Sequence, residues 1–151
     1  ERPSGDSTWF LSAGDRVATV EYRVDPGGMG AKSFFIIRTA ASGEVVREVP
    51  FSSSVEPVQQ PILSPDDRWL INPVRNRIDL YAVAETTPTH SELRNDGRKH
   101  FTGVAFHPSG RYLAATSNDR TVKLYDTATW ELARTFTWKV GKMRGVAFSP
   151  D

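Results

Sequence analysis

Val104-Ala-Phe-His-Pro-Ser-Gly-Arg-Tyr-Leu-Ala-Ala-Thr-Ser-Asn-Asp-Arg-Thr-Val-Lys-Leu-Tyr-Asp126 reads as three short strands separated by two tight turns. Val104–Phe106 is an apolar run that ends at His107-Pro108-Ser109-Gly110, where Pro presets φ and Gly accepts a left-handed backbone. Tyr112–Thr116 follows, then the polar turn Ser117-Asn118-Asp119-Arg120. Thr121–Tyr125 alternates polar and apolar residues with the period of a half-buried strand. Strands this short bury no core alone, so they must stack on copies of themselves.

The copies are present. Val146-Ala147-Phe148-Ser149-Pro150-Asp151 repeats Val104–Ser109 at a spacing of 42. Upstream, Ile62–Leu70 matches Ala105–Leu113, with Pro65 and Pro108 separated by 43. Leu11–Ala18 is an earlier copy, 52 residues before Leu63, and a longer loop over Asp25–Ser33 accounts for the extra length. Four phased copies of this unit resemble the WD40 repeat, in which about 40–45 residues make one four-stranded propeller blade. The resemblance implies an all-β fold, a β-propeller segment of about three and a half four-stranded blades. Its units fall at about 8–59, 60–101, 102–143 and a lone first strand at 144–151, together one partial propeller over 1–151.

The family's Trp-Asp dipeptide is Tyr125-Asp126 in the third unit, Tyr81-Ala82 in the second and Arg38-Thr39 in the first. Its Gly-His pair is replaced by Gly97-Arg98 and Lys139-Val140. Of the buried polar network the family builds from these residues, only Asp119 with Thr116 or Ser117 is left to take part, so that network is expected to be lost. The degenerate signature looks more like bacterial members than eukaryotic adaptors.

A closed ring needs typically four to eight blades, more than 151 residues of this pattern supply. With no initiator Met and an end in mid-turn, the chain is expected to be a piece of a longer protein, and an open arc would expose strand edges that invite self-association. A net charge of +1 selects no partner class, and with no aromatic-basic interleaving nucleic acid ranks low. The absence of Cys excludes thiol chemistry but leaves the compartment open, with the cytoplasm as the default. Phe34–Ile37, the longest apolar run, is far too short to span a membrane.

In chain order, strands are expected at Trp9–Ser12, Arg16–Arg23, Phe34–Thr39 and Glu44–Pro50, then at Gln60–Leu63, Arg68–Asn72 and Arg77–Val83. Glu85–Gly97 holds Thr-Thr-Pro-Thr and Asn95-Asp96-Gly97, a strong turn signal, so a long loop with a weak outer strand near Ser91–Arg94 is expected there. Glu131–Thr137 closes the third unit.

Catalytic, metal and cofactor sites are not expected. Gly27–Ser33 is a near miss for a phosphate-cradling loop: Ala31 stands where Gly should precede Lys-Ser, and a strand rather than a helix follows. His90, His100 and His107 lie on separate loops without metal-ligand spacing, and His107 reads as a solvent-facing turn residue. Asp66-Asp67 reads as solvated turn residues. Trp69, Tyr112, Tyr81 and Tyr125 recur at equivalent repeat positions, which is what blade packing demands. Trp130 replaces the turn glycine seen at Gly43 and is expected either exposed at the rim or buried between blades, and Trp138 is a second candidate exposed anchor.

By resemblance, the turns after each second strand share a partner-binding face with the blade connectors. Arg75, Arg98, Lys99, Arg120, Lys139, Lys142 and Arg144 fall there, with Asp25, Glu56 and Asp119 nearby. Asp15, Glu44, Asp66, Asp67 and Asp126 fall opposite, offset by Arg16, Arg68 and Arg111. Long cations in loops often only solvate a protein, but such a face would steer an acidic or phosphorylated partner. The function this implies is a non-catalytic scaffold or sensor that binds a protein or peptide through these loops. The alternative is a propeller enzyme or small-ligand sensor with a central-channel site near Gln59, Gln60, Thr102 and Arg144.

Overall fold

Among the described residues, apolar–polar alternation becomes twelve strands in three antiparallel four-stranded sheets. The computed structural model describes residues 8–11, 14–24, 31–51, 60–85, 89–138 and 140–149. Asp25, Glu56, Gln59, Lys139 and the glycine-rich stretch 25–30 lie outside the described residues. The chain divides into two units, Glu1–Val55 and Glu56–Asp151.

The first unit is one sheet, β1 (Thr8–Phe10), β2 (Arg16–Val24), β3 (Ala31–Thr39) and β4 (Val45–Phe51), in sequence order. β2 and β3 pair from Arg16↔Thr39 to Val24↔Ala31, so Lys32 and Ser33, expected in the loop, are strand residues. One face buries Ala18, Val20, Phe35, Ile37 and Val49. The other carries a charge ladder: Arg38 Nη2 donates to Glu21 at 2.7 Å, Arg23 Nη1 donates to Glu48 at 3.0 Å, and the Arg23 guanidinium lies 4.5 Å over the Phe34 ring. The Arg38 hydrogen bond holds the Glu21 carboxyl below its ordinary value.

The second unit stacks two sheets. The first holds β5 (Ile62–Leu63), β6 (Trp69–Val74), β7 (Arg77–Ala82) and β8 (His90–Arg94). The second holds β9 (Phe101–Phe106), β10 (Tyr112–Ser117), β11 (Thr121–Asp126) and β12 (Leu132–Thr137). Ile71, Ile78, Leu80 and Leu93 meet Phe101, Val104, Leu113, Ala115 and Tyr125 in one apolar core. Burying a side chain of this size stabilises by about 1.5–3 kcal/mol, enough to set which face of each strand turns inward.

Trp130 has φ of 59°, in a turn that matches the one at Gly43, where φ is 71°. Trp130 N–H donates to the Asp126 carbonyl at 2.7 Å, as Gly43 N–H does to Thr39 at 2.8 Å. A side chain in this region is strained. Packing compensates: the Trp130 ring meets Trp69 edge-to-face at 5.0 Å, so it is part of the core edge and not a rim anchor.

Of the lone strand expected at 144–151, the described residues 144–149 carry no strand, and neither do 142–143. They run beside β9 in the same direction. A Cβ on Gly103 would stand 2.9 Å from Gly145 Cα, and the Phe148 ring lies 5.1 Å from His107. His107 is therefore half-buried instead of solvent-facing. Its Nδ1 accepts the Ser109 N–H at 3.1 Å and lies 2.7 Å from Ser109 Oγ.

Candidate partner-binding face

One end of the second unit is built from the β6–β7 turn, the connector 95–100 and the β10–β11 turn, and backbone hydrogen bonds hold the three together. Phe101 N–H donates to the Arg75 carbonyl at 2.7 Å, and Asn95 N–H to the Asn76 carbonyl at 2.7 Å. On the other side, Asn118 N–H donates to the His100 carbonyl and Asn118 Oδ1 accepts the His100 N–H, both at 3.0 Å. The connector is thus pinned at both of its ends, to a turn on each side.

Its underside is anchored by a buried lysine. Lys123 shares a strand face with Tyr125 and is 4% exposed. Its ammonium donates to Asn95 Oδ1 at 2.6 Å and to Asp96 Oδ2 at 2.5 Å. Asn95 Nδ2 in turn donates to Ser117 Oγ at 2.9 Å. Asp119 accepts the Thr121 hydroxyl at 2.6 Å and the Thr121 N–H at 3.0 Å. Burial by itself would raise the Asp119 carboxyl, but the Thr121 and Ser117 hydrogen bonds and the Lys123 charge outweigh it and hold it low. Burial, with the Asp96 charge adding to it, pushes the Tyr125 phenol up to about 12.

The polar network expected to be lost is therefore replaced. Asp119 and Ser117 take part as expected, while Lys123 and Asn95 supply what the missing residues do not. Alternation along Thr121–Tyr125 held the signal, because a core Tyr125 puts Lys123 on the same inward face. A buried ammonium is held in place only when its hydrogen bonds are made, so the network fixes the connector's path.

Above this base, Arg98, Lys99 and Arg120 are exposed, and among the described residues they form no ion pairs. Arg75 and Arg120 both adopt positive φ, 47° and 70°. Asp96 and Asp119 give their carboxylates to Lys123 and Thr121, which leaves the end cationic. Lys142 and Arg144 are exposed on the stretch that passes Gly103, where a Cβ would stand 3.4 Å from the Arg144 carbonyl. Lys139 lies outside the described residues. Trp138 is 51% exposed and stacks on Phe136 at 5.7 Å, past the end of β12.

The opposite end is a second hydrogen-bonded set. Asp66 accepts the Ser64 hydroxyl at 2.6 Å, Val83 N–H donates to Arg68, and Thr127 N–H donates to Arg111. Arg111 and Asp126 approach to 3.9 Å. Asp15 and Glu44 belong to the turns of the first unit, and Arg16 opens β2. Among the channel candidates, Gln60 is exposed and the Thr102 hydroxyl is bonded to Thr116 at 3.0 Å. No three His, Cys, Asp or Glu residues gather into a metal site among the described residues.

The family model described as "WD domain, G-beta repeat" matches residues 90–126, which span β8 through β11 and the pinned connector. Over 137 residues the chain is 33% identical to Protein HIR1 of Mycosarcoma maydis, covering 85% of this chain and 12% of that protein. The chain belongs to the WD40-repeat β-propeller family. An uncharacterized WD repeat-containing protein of Synechocystis sp. is 28% identical over 90 residues, 59% of this chain and 25% of that one. Among solved structures, the β-propeller domain of Myceliophteria thermophila Cps50 (Swd1) superposes with a TM-score of 0.64 at 14% identity, covering 95% of this chain and 58% of that one. U3-55K gives 0.57 at 18% identity, covering 89% and 46%. The WD40 segment thus spans only 12% and 25% of the two curated relatives' lengths. WD40 propellers are typically protein-interaction scaffolds and generally non-catalytic.

Proposed function

We propose that this WD40 segment is a non-catalytic platform that presents its cationic end to an acidic protein or peptide. The observation that carries the reading is the connector 95–100, pinned at both ends and anchored below by Lys123, so that Arg98 and Lys99 stand on a fixed base. A loop ordered before binding costs less entropy on association than one ordered by its partner. Arginine at these positions offers a planar fork for carboxylate or phosphate, and exposed cations steer an acidic ligand at a rate that salt suppresses. Arg120→Glu combined with Lys142→Glu should lower capture of acidic peptides on an array by tenfold or more, while capture of neutral peptides stays at background. Undiminished capture by the double variant, or equal capture of neutral and acidic peptides, refutes the reading.

A further inference from the structure

The network beneath the connector gathers three groups that can react with one another. Lys123 carries a primary amine, Asn95 a carboxamide and Asp96 a carboxylate, and the fold brings the lysine to partners 28 and 27 residues upstream. Lys123 is 4% exposed, Asn95 6% and Ser117 0%, so the amine and the amide face each other out of water. Asp96 differs: its side chain is 86% exposed and meets the ammonium at the protein surface.

Lys123 Nζ stands 2.6 Å from Asn95 Oδ1, and a carbonyl bond is about 1.2 Å long, so Nζ lies within about 3.8 Å of Asn95 Cγ. Atoms held about 3–3.5 Å apart are in range to react. The flexible lysine stem lets Nζ move from the edge of the carbonyl to its face. The remaining groups stand where a condensation needs them. The Asp96 N–H donates to Asn95 Oδ1 at 2.9 Å, positioned to bear the charge that gathers on that oxygen. Asp96 Oδ2, 2.5 Å from Nζ, accepts the proton the amine must lose. Ser117 Oγ accepts the Asn95 Nδ2 hydrogen at 2.9 Å, which holds the amide nitrogen in place. With water kept from the buried pair, hydrolysis of the amide is disfavoured.

We propose that Lys123 condenses with Asn95, joining β11 to the connector by an isopeptide bond. Nζ passes a proton to Asp96 and attacks Asn95 Cγ; the Nζ–Cγ bond forms and the Cγ–Nδ2 bond breaks. The two protons that Nζ gives up pass by way of Asp96 to the departing nitrogen, which leaves as ammonium. Asp96 ends as the carboxylate it began as, and nothing is oxidised or reduced. Asn95 is the electrophile because an ionised, hydrated carboxylate repels a nucleophile, and Asp96 serves as the base. The exposed Asp96 must give up hydration to take the proton, so the bond forms slowly on storage and the non-covalent network is the freshly folded state. Once formed, the bond fixes the base under Arg98 and Lys99 covalently.

Incubated in mildly alkaline buffer, the full chain should lose about 17 Da, the mass of ammonia, in intact-mass spectrometry. Trypsin should then release Asn95–Arg98 joined to Thr121–Arg134, with Lys123 left uncut. Lys123→Met should keep its full mass. Asp96→Ala, which leaves the amine and the amide in place, should convert at least about tenfold more slowly. Protein held unfolded in urea should not convert. An unchanged mass of the folded wild type overturns the proposal. So does a loss of about 17 Da with the two peptides released separately, the mark of a succinimide, or a loss of about 18 Da with the link at Asp96. Conversion as fast in Asp96→Ala, or in urea, as in the folded wild type overturns it as well.

Discussion

Gly103→Ala tests how the chain after β12 is held. A Cβ added at Gly103 would stand 2.9 Å from Gly145 Cα, 3.3 Å from Thr116 Oγ1 and 3.4 Å from the Arg144 carbonyl. Carbon atoms rest at roughly 3.5–4.0 Å, so the backbone at 144–145 must retreat by more than half an ångström. Thr116 cannot yield cheaply, because its hydroxyl donates to the Gly103 carbonyl at 3.2 Å and meets the Thr102 hydroxyl at 3.0 Å. Overpacking of this kind costs about 1–3 kcal/mol. The alanine recovers about 0.4–1 kcal/mol by restricting the unfolded chain. The net expectation is a loss of about 1–2 kcal/mol in urea unfolding followed by tryptophan emission. Hydrogen exchange should also quicken over 142–149. Gly145→Ala is the control, since a Cβ there meets nothing within 4 Å. It should be neutral or slightly stabilising. If Gly103→Ala is as stable as the wild type, or Gly145→Ala is the more damaging of the two, the close approach of the two glycines is refuted.

Asn95→Ala should cost about 1–3 kcal/mol, because it removes one of the two acceptors of the buried Lys123 ammonium, whose ion pair with Asp96 remains, and takes the amide donor from Ser117 Oγ; Lys123→Met removes the charge while Asp96 remains solvated and should cost less, about 1 kcal/mol. Urea midpoints in the reverse order would show that the lysine is not the dominant buried charge. In acid, Glu21 and Asp119 both sit below their ordinary values of 4.5 and 3.8, so their stabilisation is complete above those values and is lost as pH falls through the lower folded ones. Asp119→Asn should flatten the fall in stability below about pH 4, and an unchanged slope counts against the Thr121 and Lys123 contacts as its source.

Much of the fold is written locally. Pro108 and Gly110 punctuate the turn after Phe106, alternation marks β10 and β11, and the spacings of 42 and 43 repeat the unit, so strand number, order and family follow from short-range chemistry. The cationic turns were also legible, because turn residues follow from strand boundaries. Three other features depend on residues far apart in sequence. Lys123 becomes a structural pin only because folding brings Asn95, 28 residues upstream, within 2.6 Å. Trp130 keeps a left-handed backbone only because Trp69 packs against it. His107 is half-buried only because Phe148 lies beside it. Alternation assigns a face to each side chain, but which residue covers that face is decided by how the sheets stack. The sequence by itself therefore determined the repeat and the strands, while the tertiary structure alone decided which polar groups are buried and what satisfies them.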